Sequence, residues 1–565
     1  MSSRNCGRIF GPAALLQGVA LAAMLLPGTA SAASIYAQWP NGPPQTPGFF
    51  PVAVWWQNPA LTGKSGSYPT IAAAAAGMGI NVFLGEGNWP ERFGGDLGEL
   101  EAVKANNLYM IGGISTPSTE NSSAQSVASV LALAQSIGAQ RNVIGYNAGD
   151  EPNCNPNTMQ YVAGIVKGIN GYDNTRVVTY NQTAWMIVPQ WLGSCASAAF
   201  AGLQATSIGS FDFYPETGPW YPQVFKYPKG DFISIANDSL WVQGMATAAL
   251  IHDGRPNQPM WVYIEAGGDN LGFSSGNNAF PGGVTAGSTT VTNLSGWSVL
   301  TNTWLGLTMS GAGIPQGAKI TRIIDGTHAT LSAAATGTSA QESITVTGGA
   351  GFGADCVESA NLCVVNGNEY RPTPAQVNAE VWMSLINGAN GIEYFCHDSS
   401  SDFFCMGDAA GGPVAASTQA NLTEIDKSIR RFAPILNTPS AGICSMQQLN
   451  YTTGAQYTTT SCSNGVLTMS TGNAAVPGMA MVKQFNGATY LFTQSDRRSP
   501  AGATFTYSLA GLGGKTAKII MDSNEHYDHV HGAWGQTFAL NTSGQFSDVL
   551  GANGDDYQVK IYRIE

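Results

Sequence analysis

The chain has 565 residues, too many for one ordinary core, so two or three domains are expected. Only 11% of residues are charged, against about 25% in typical soluble domains, and Gly, Ser, Thr and Asn fill the difference. A net charge of −12 speaks against nucleic acid or phosphate-rich partners, and the uncharged polar composition suits neutral polar ligands.

Residues 1–32 read as a secretory signal peptide. Arg4 and Arg8 make a positive start, residues 13–26 are apolar, and "ASA" at 30–32 is a small-residue cleavage site, with cleavage expected near Ala32. The apolar run is short for a membrane anchor, and no later run reaches 18 residues. An exported mature chain without a membrane span is therefore expected, secreted or periplasmic. Of nine cysteines, Cys6 lies in the leader and eight remain, an even number suited to an oxidising compartment. Neighbours in sequence suggest Cys154–Cys195, Cys356–Cys363, Cys396–Cys405 and Cys444–Cys462, among the 105 pairings open to eight cysteines.

From residue 48 short apolar runs alternate with stretches long enough for a helix. The runs are 49–56, 80–85, 108–114, 142–148, 176–181, 205–214, 260–266 and 391–397. Helices are expected over 68–78, 96–105, 122–138, 157–169, 238–252 and 374–388. Continuously apolar strands are buried on both faces, as in a parallel sheet. Eight of them with crossover helices give an α/β fold, a (β/α)8 TIM barrel over 40–437.

Two stretches break the rhythm. Residues 282–349 change to period-two alternation with Gly, Asn and Asp turns ("STTVTNL", "ESITVT"), which predicts a small all-β module inserted after the seventh strand. Residues 438–565 ("GMAMVKQFNGATYLFTQSD", "KTAKIIMDSN") alternate likewise to the last residue and predict a C-terminal antiparallel β-sandwich.

A barrel of this kind carries its chemistry at the C-terminal ends of its strands. The runs end in Trp55 and Trp56; in Glu86 and Trp89; in Asp150 and Glu151 of "GDEPN"; in Tyr180 and Asn181; in Asp212 and Tyr214; in Glu265 of "WVYIEAGG"; and in His397 and Asp398. Carboxylates, amides and aromatics converge there without Lys or Arg. Aromatic faces suit sugar rings, and amides and acids suit hydroxyls, so the expected partner is an oligo- or polysaccharide. Glu151 and Glu265 are the candidate catalytic pair, because glycoside hydrolysis takes one acid for the leaving oxygen and a second for the anomeric carbon or a water. Asp150, Trp55, Trp56, Trp89, Asn181, Tyr214 and His397 are candidate substrate contacts. Glu393 lies inside the eighth run, where pairing within the barrel is one reading of it. No metal or organic cofactor is required, and a monomer is expected.

"GDEPN" (149–153) and "WVYIEAGG" (261–268) resemble the motifs of retaining glycoside hydrolases of the (β/α)8 clan A, the 4/7 superfamily, which carry an Asn-Glu-Pro-like motif after strand four and a Glu after strand seven. The resemblance implies Glu151 as acid/base, Glu265 as nucleophile and Tyr214 as the residue orienting the nucleophile. It also implies cleavage of a β-linked glycan by double displacement. Where that clan has Asn, this chain has Asp150. An adjacent Asp-Glu pair is also similar to enzymes that cleave N-acetylhexosaminides with the substrate's own acetamide as nucleophile, which would leave Glu265 a binding role. A non-catalytic carbohydrate-binding surface protein is the alternative from outside the enzymes.

Overall fold

The computed structural model describes residues 34–55, 68–85, 98–113, 127–137, 140–152, 156–183, 196–213, 241–266, 269–270, 279–294, 308–325, 327–347, 358–359, 362–365, 369–371, 374–395, 412–450, 456–496, 501–523, 535–552 and 557–565. Ala33–Glu565 form one unit.

Eight parallel strand positions close on themselves. They are β1 (Val52–Trp55), β2 (Val82–Leu84), β3 (Tyr109–Gly113), β4 (Val143–Asn147), β5 (Val177–Thr179, resumed as Asn181–Thr183), β6 (Gly209–Asp212), β7 (Met260–Glu265) and β8 (Gly391–Phe395). Hydrogen bonding runs in order from β1 to the first half of β5, and from the second half of β5 through β6, β7 and β8 back to β1. Strand β5 closes the ring because its first half pairs with β4 and its second half with β6. This is the TIM barrel that the eight apolar runs predict. The sixth run is trimmed: residues up to Ala205 end a helix, and only Gly209–Asp212 pair as a strand.

The helices are α1 (Tyr68–Met78), α2 (Gly98–Ala105), α3 (Val127–Ile137), α4 (Pro156–Tyr172), α5 (Ala196–Ala205), α6 (Trp241–Asp253), α7 (Pro374–Ile386) and α8 (Gly412–Leu436). Pro156 and Pro374 each stand first in their helix, where a missing N–H costs nothing and the ring's fixed φ suits the first turn. Two helices go beyond the sequence reading. The Ala-rich text of α5 has little apolar periodicity, and α8 is polar on average although one face, Leu422, Ile425, Ile429 and Phe432, is buried.

The barrel interior is a continuous cluster of Ala53, Trp55, Val82, Leu84, Ile111, Ile144, Val177, Ile208, Trp261 and Tyr263, closed by Tyr36 and Trp39 from the N-terminal segment. Trp261 Nε1 donates to the Tyr36 hydroxyl at 2.9 Å, and that hydroxyl donates to the Asn390 carbonyl at 2.9 Å. Asn41 binds Thr175 through both backbone and side chain. Residues 36–41 thus plug the N-terminal end of the barrel, leaving the C-terminal ends as the mouth.

Between β7 and β8 lies a six-stranded antiparallel sheet built from Ala279–Val284, Thr290–Thr292, Thr308–Ser310, Ile320–Asp325, His328–Leu331 and Ser339–Thr347. After α8 come a six-stranded and a four-stranded antiparallel sheet, drawn from residues 440–564 and 461–552. Leu467, Met469, Val482, Leu491, Phe505, Tyr507, Leu550 and Tyr562 share the core between them. The Cys444–Cys462 disulfide joins the two sheets of this sandwich. The other three suggested pairings lie outside the residues whose side chains are described.

Period-two alternation gives the six-stranded sheet a second apolar face. Ala480 and Val482 enter the sandwich, while Met479 and Met481 join the barrel core beside Phe492, Val559 and Ile561. There Phe492 stacks on Trp382 of α7 at 6.3 Å, and Phe432 of α8 meets both edge-on.

Candidate active site

The "GDEPN" segment leaves β4 in an unusual backbone path. Gly149 has φ 154° and Glu151 has φ 38°, a left-handed conformation that a non-glycine residue rarely adopts. Pro152 follows, and since a proline biases the residue before it toward extended backbone, the turn at Glu151 is held against that bias. The path is held by β5: the Asn181 N–H donates to the Gly149 carbonyl at 3.0 Å, and the Glu151 N–H donates to the Asn181 carbonyl at 3.1 Å. Asn147 adds a third tie, accepting from the Gly149 N–H and donating to the Gly85 carbonyl. Strained backbone that its surroundings over-determine is a recurring feature of functional sites.

Inward and outward residues alternate along each strand, so the interior residues fix the phase. In β7, Trp261 and Tyr263 belong to the interior cluster, and Glu265 continues that phase at the strand's end. Glu265 is completely buried, and its backbone N–H lies 3.4 Å from Oε2 of Glu380 on α7. In β6 the phase runs Ile208, Ser210, Asp212, so Asp212 reaches the same level. Asn181 faces Ser210 across the strand pair.

Side chains then knit the mouth together. Asn181 Nδ2 donates to Asp150 Oδ1 at 3.1 Å, and the same side chain hydrogen-bonds Asp212. Asp212 also lies beside Glu151. Burial raises the Asp212 pKa well above the ordinary carboxyl range, and the Glu151 and Asp150 charges raise it further.

Of the residues singled out from sequence, Asp150, Glu151 and Asn181 come together in this cluster, with Glu265 on the inward phase at the end of β7. Trp55 is 5% exposed and packs edge-on against Tyr263 at 5.7 Å within the interior. Trp56, Trp89, Tyr214 and His397 lie outside the described residues. Asp212 and Ser210 were not among the candidates. Their signal is the alternation in "SFDF", residues 210–213, which puts two polar groups on the inner face of an apolar strand.

No family model matches the chain, and no curated protein matches it. Among solved structures it is similar to one described as a glycoside hydrolase, at 11% identity and a TM-score of 0.44, over 93% of this chain and 97% of that one. It is similar to a family 5 glycoside hydrolase from Bacteroides vulgatus at 11% identity and a TM-score of 0.42, over 91% of this chain and 89% of that one. Similarity to AmyP, solved with maltose, covers 93% of this chain and 97% of that one at 7% identity and a TM-score of 0.41.

Proposed function

We propose that the chain is an exported glycoside hydrolase that cleaves a β-linked glycan with retention. The observation that carries this reading is the placement of two acids at strand ends of a closed barrel: Glu151 beyond β4 and Glu265 on the inward phase of β7. Glu265 attacks the anomeric carbon while Glu151 delivers a proton to the leaving oxygen. The glycosyl–Glu265 ester is then opened by water, whose proton returns to Glu151. Asp212, buried beside this acid, adds a carboxyl whose own proton is held to higher pH.

Reducing-sugar release from a panel of plant, fungal and bacterial polysaccharides tests the activity. The anomer formed first, read by proton NMR, tests the mechanism: retention supports double displacement, and inversion turns Glu265 into a base acting on water. Absence of release with retained binding supports a carbohydrate-binding protein instead.

The fixed position of Asp150 favours a second reading. Asn181 holds its carboxylate beside Glu151, as steering of a substrate acetamide would require. Under that mechanism N-acetylated sugars are the substrates and Glu265→Gln keeps most of the activity.

A further inference from the structure

Among the buried acids that the proposed reaction does not use, one lies inside the barrel on the strands that carry the site. Glu393, in the middle of β8, is completely buried inside the barrel. Its register neighbours are Ala53 of β1 and Tyr263 of β7. Tyr36 from the N-terminal plug lies near enough for the Glu393 charge to oppose its ionisation. Ser210 of β6 is its hydrogen-bond partner: Ser210 Oγ lies 2.7 Å from Glu393 Oε2. Burial pushes the Glu393 pKa up to about 8 against the opposing effect of the Ser210 hydroxyl.

Proton counting gives this arrangement a direction. Ser210 Oγ also lies 3.3 Å from Asn181 Oδ1, and a hydroxyl has one proton for two acceptors. The orientation of the Asn181 amide is set from its other end, where Nδ2 faces Asp150 and the amide also serves Asp212. Asn181 Oδ1 therefore faces Ser210 and requires a donor. With Glu393 ionised, the Ser210 proton is drawn to it and Asn181 Oδ1 meets only lone pairs. With Glu393 protonated, its O–H donates to Ser210, Ser210 donates to Asn181, and Asn181 donates to the acids around Glu151.

We propose that Glu393 is a positioning residue which, in its protonated form, orients Ser210 and Asn181 and so holds Asp150 and Asp212 around the catalytic acid. The proposal rests on the reading of Glu151 as that acid. The groups facing Glu393 are Tyr36, Tyr263 and Ser210, with Asp150, Glu151 and Asp212 beyond Asn181. Ionisation of Glu393 turns the Ser210 hydroxyl away from Asn181 and loosens the mouth.

Glu393→Gln separates the roles, since an amide N–H still donates to Ser210 but does not titrate. Two measurements decide. In the chain labelled with 15N-asparagine, the Asn181 side-chain amide signals should shift with pH through a transition near 8, and Glu393→Gln should remove that transition. In the hydrolysis profile, Glu393→Gln should keep kcat within about threefold at neutral pH and remove one alkaline ionisation, while Ser210→Ala should lower kcat about tenfold at all pH values. An Asn181 signal that ignores Glu393 overturns the coupling, whatever the activity. An intact coupling with an unchanged hydrolysis profile overturns the positioning role. A wild-type chain that cleaves no glycan but keeps the Asn181 transition overturns the functional reading and leaves the coupling standing.

Discussion

Asp212, buried at the end of β6, lies beside Glu151, beyond the end of β4, close enough for the Glu151 charge to act on it. Burial and the like charges of Glu151 and Asp150 hold the Asp212 carboxyl above its usual range, so Asp212 keeps its proton to higher pH than an exposed acid would. Asp212→Asn removes one of the repelling charges. With no titrating carboxyl left at position 212, the alkaline limb of kcat/KM should shift. A limb that stays in place would exclude Asp212 from the acid's environment.

The two proposed catalytic acids should fail differently. Glu265→Gln removes the nucleophile, so hydrolysis should drop by at least about 10³-fold for every substrate. Glu151→Gln removes a proton donor, a loss of about 10²- to 10⁴-fold on ordinary glycans. Aryl glycosides with strongly acidic leaving groups need little protonation, so their cleavage by Glu151→Gln should be largely spared in its first step. Equal losses on both substrate types would contradict the division of roles, and full activity of either variant would remove it.

What could be read from sequence follows from how each feature is encoded. Strands buried on both faces are apolar throughout, so all eight barrel runs stand out, and "DEP" and "IEA" mark two strand ends. Helix α8 was missed because a long helix lying half on the surface keeps a polar text, and α5 because alanine carries little periodicity. Asp212 appeared at its strand end, yet nothing local links it to Glu151, 61 positions away. That contact exists only because β5 lies between β4 and β6 and Asn181 bridges them. Glu393 was visible as an acid inside an apolar run, and its partner Ser210 was hidden in another strand.

Barrel and sandwich should unfold together. Trp382 of α7 is fully buried between Phe432 of α8 and Phe492 of the six-stranded sheet. The same apolar cluster continues into both parts, through Met479 and Met481 on one side and Ile425 and Ile429 on the other. Trp382→Ala should cost about 3–5 kcal/mol. Tryptophan fluorescence and far-ultraviolet circular dichroism should report one shared transition in the wild type. Two separate transitions in the wild type would show that this interface does not couple them.

Two glycines should respond to alanine with opposite signs. Gly77 lies exposed in α1 with open space where a Cβ would stand, so Gly77→Ala should stabilise by about 0.5–1 kcal/mol through the lost backbone entropy of glycine. A Cβ on Gly391 would lie 2.6 Å from Trp261 Cδ1 and 2.7 Å from Cγ. The indole cannot swing clear, because its Nε1 is tied to Tyr36 and the ring sits in the packed interior. Gly391→Ala should therefore cost about 1–3 kcal/mol by overpacking. The strain falls two residues from Glu393, so the variant should also lower activity near neutral pH. Urea unfolding of the two variants checks the signs, and a neutral Gly391→Ala would mean that the plug and the Trp261 ring yield more easily than their hydrogen bond implies.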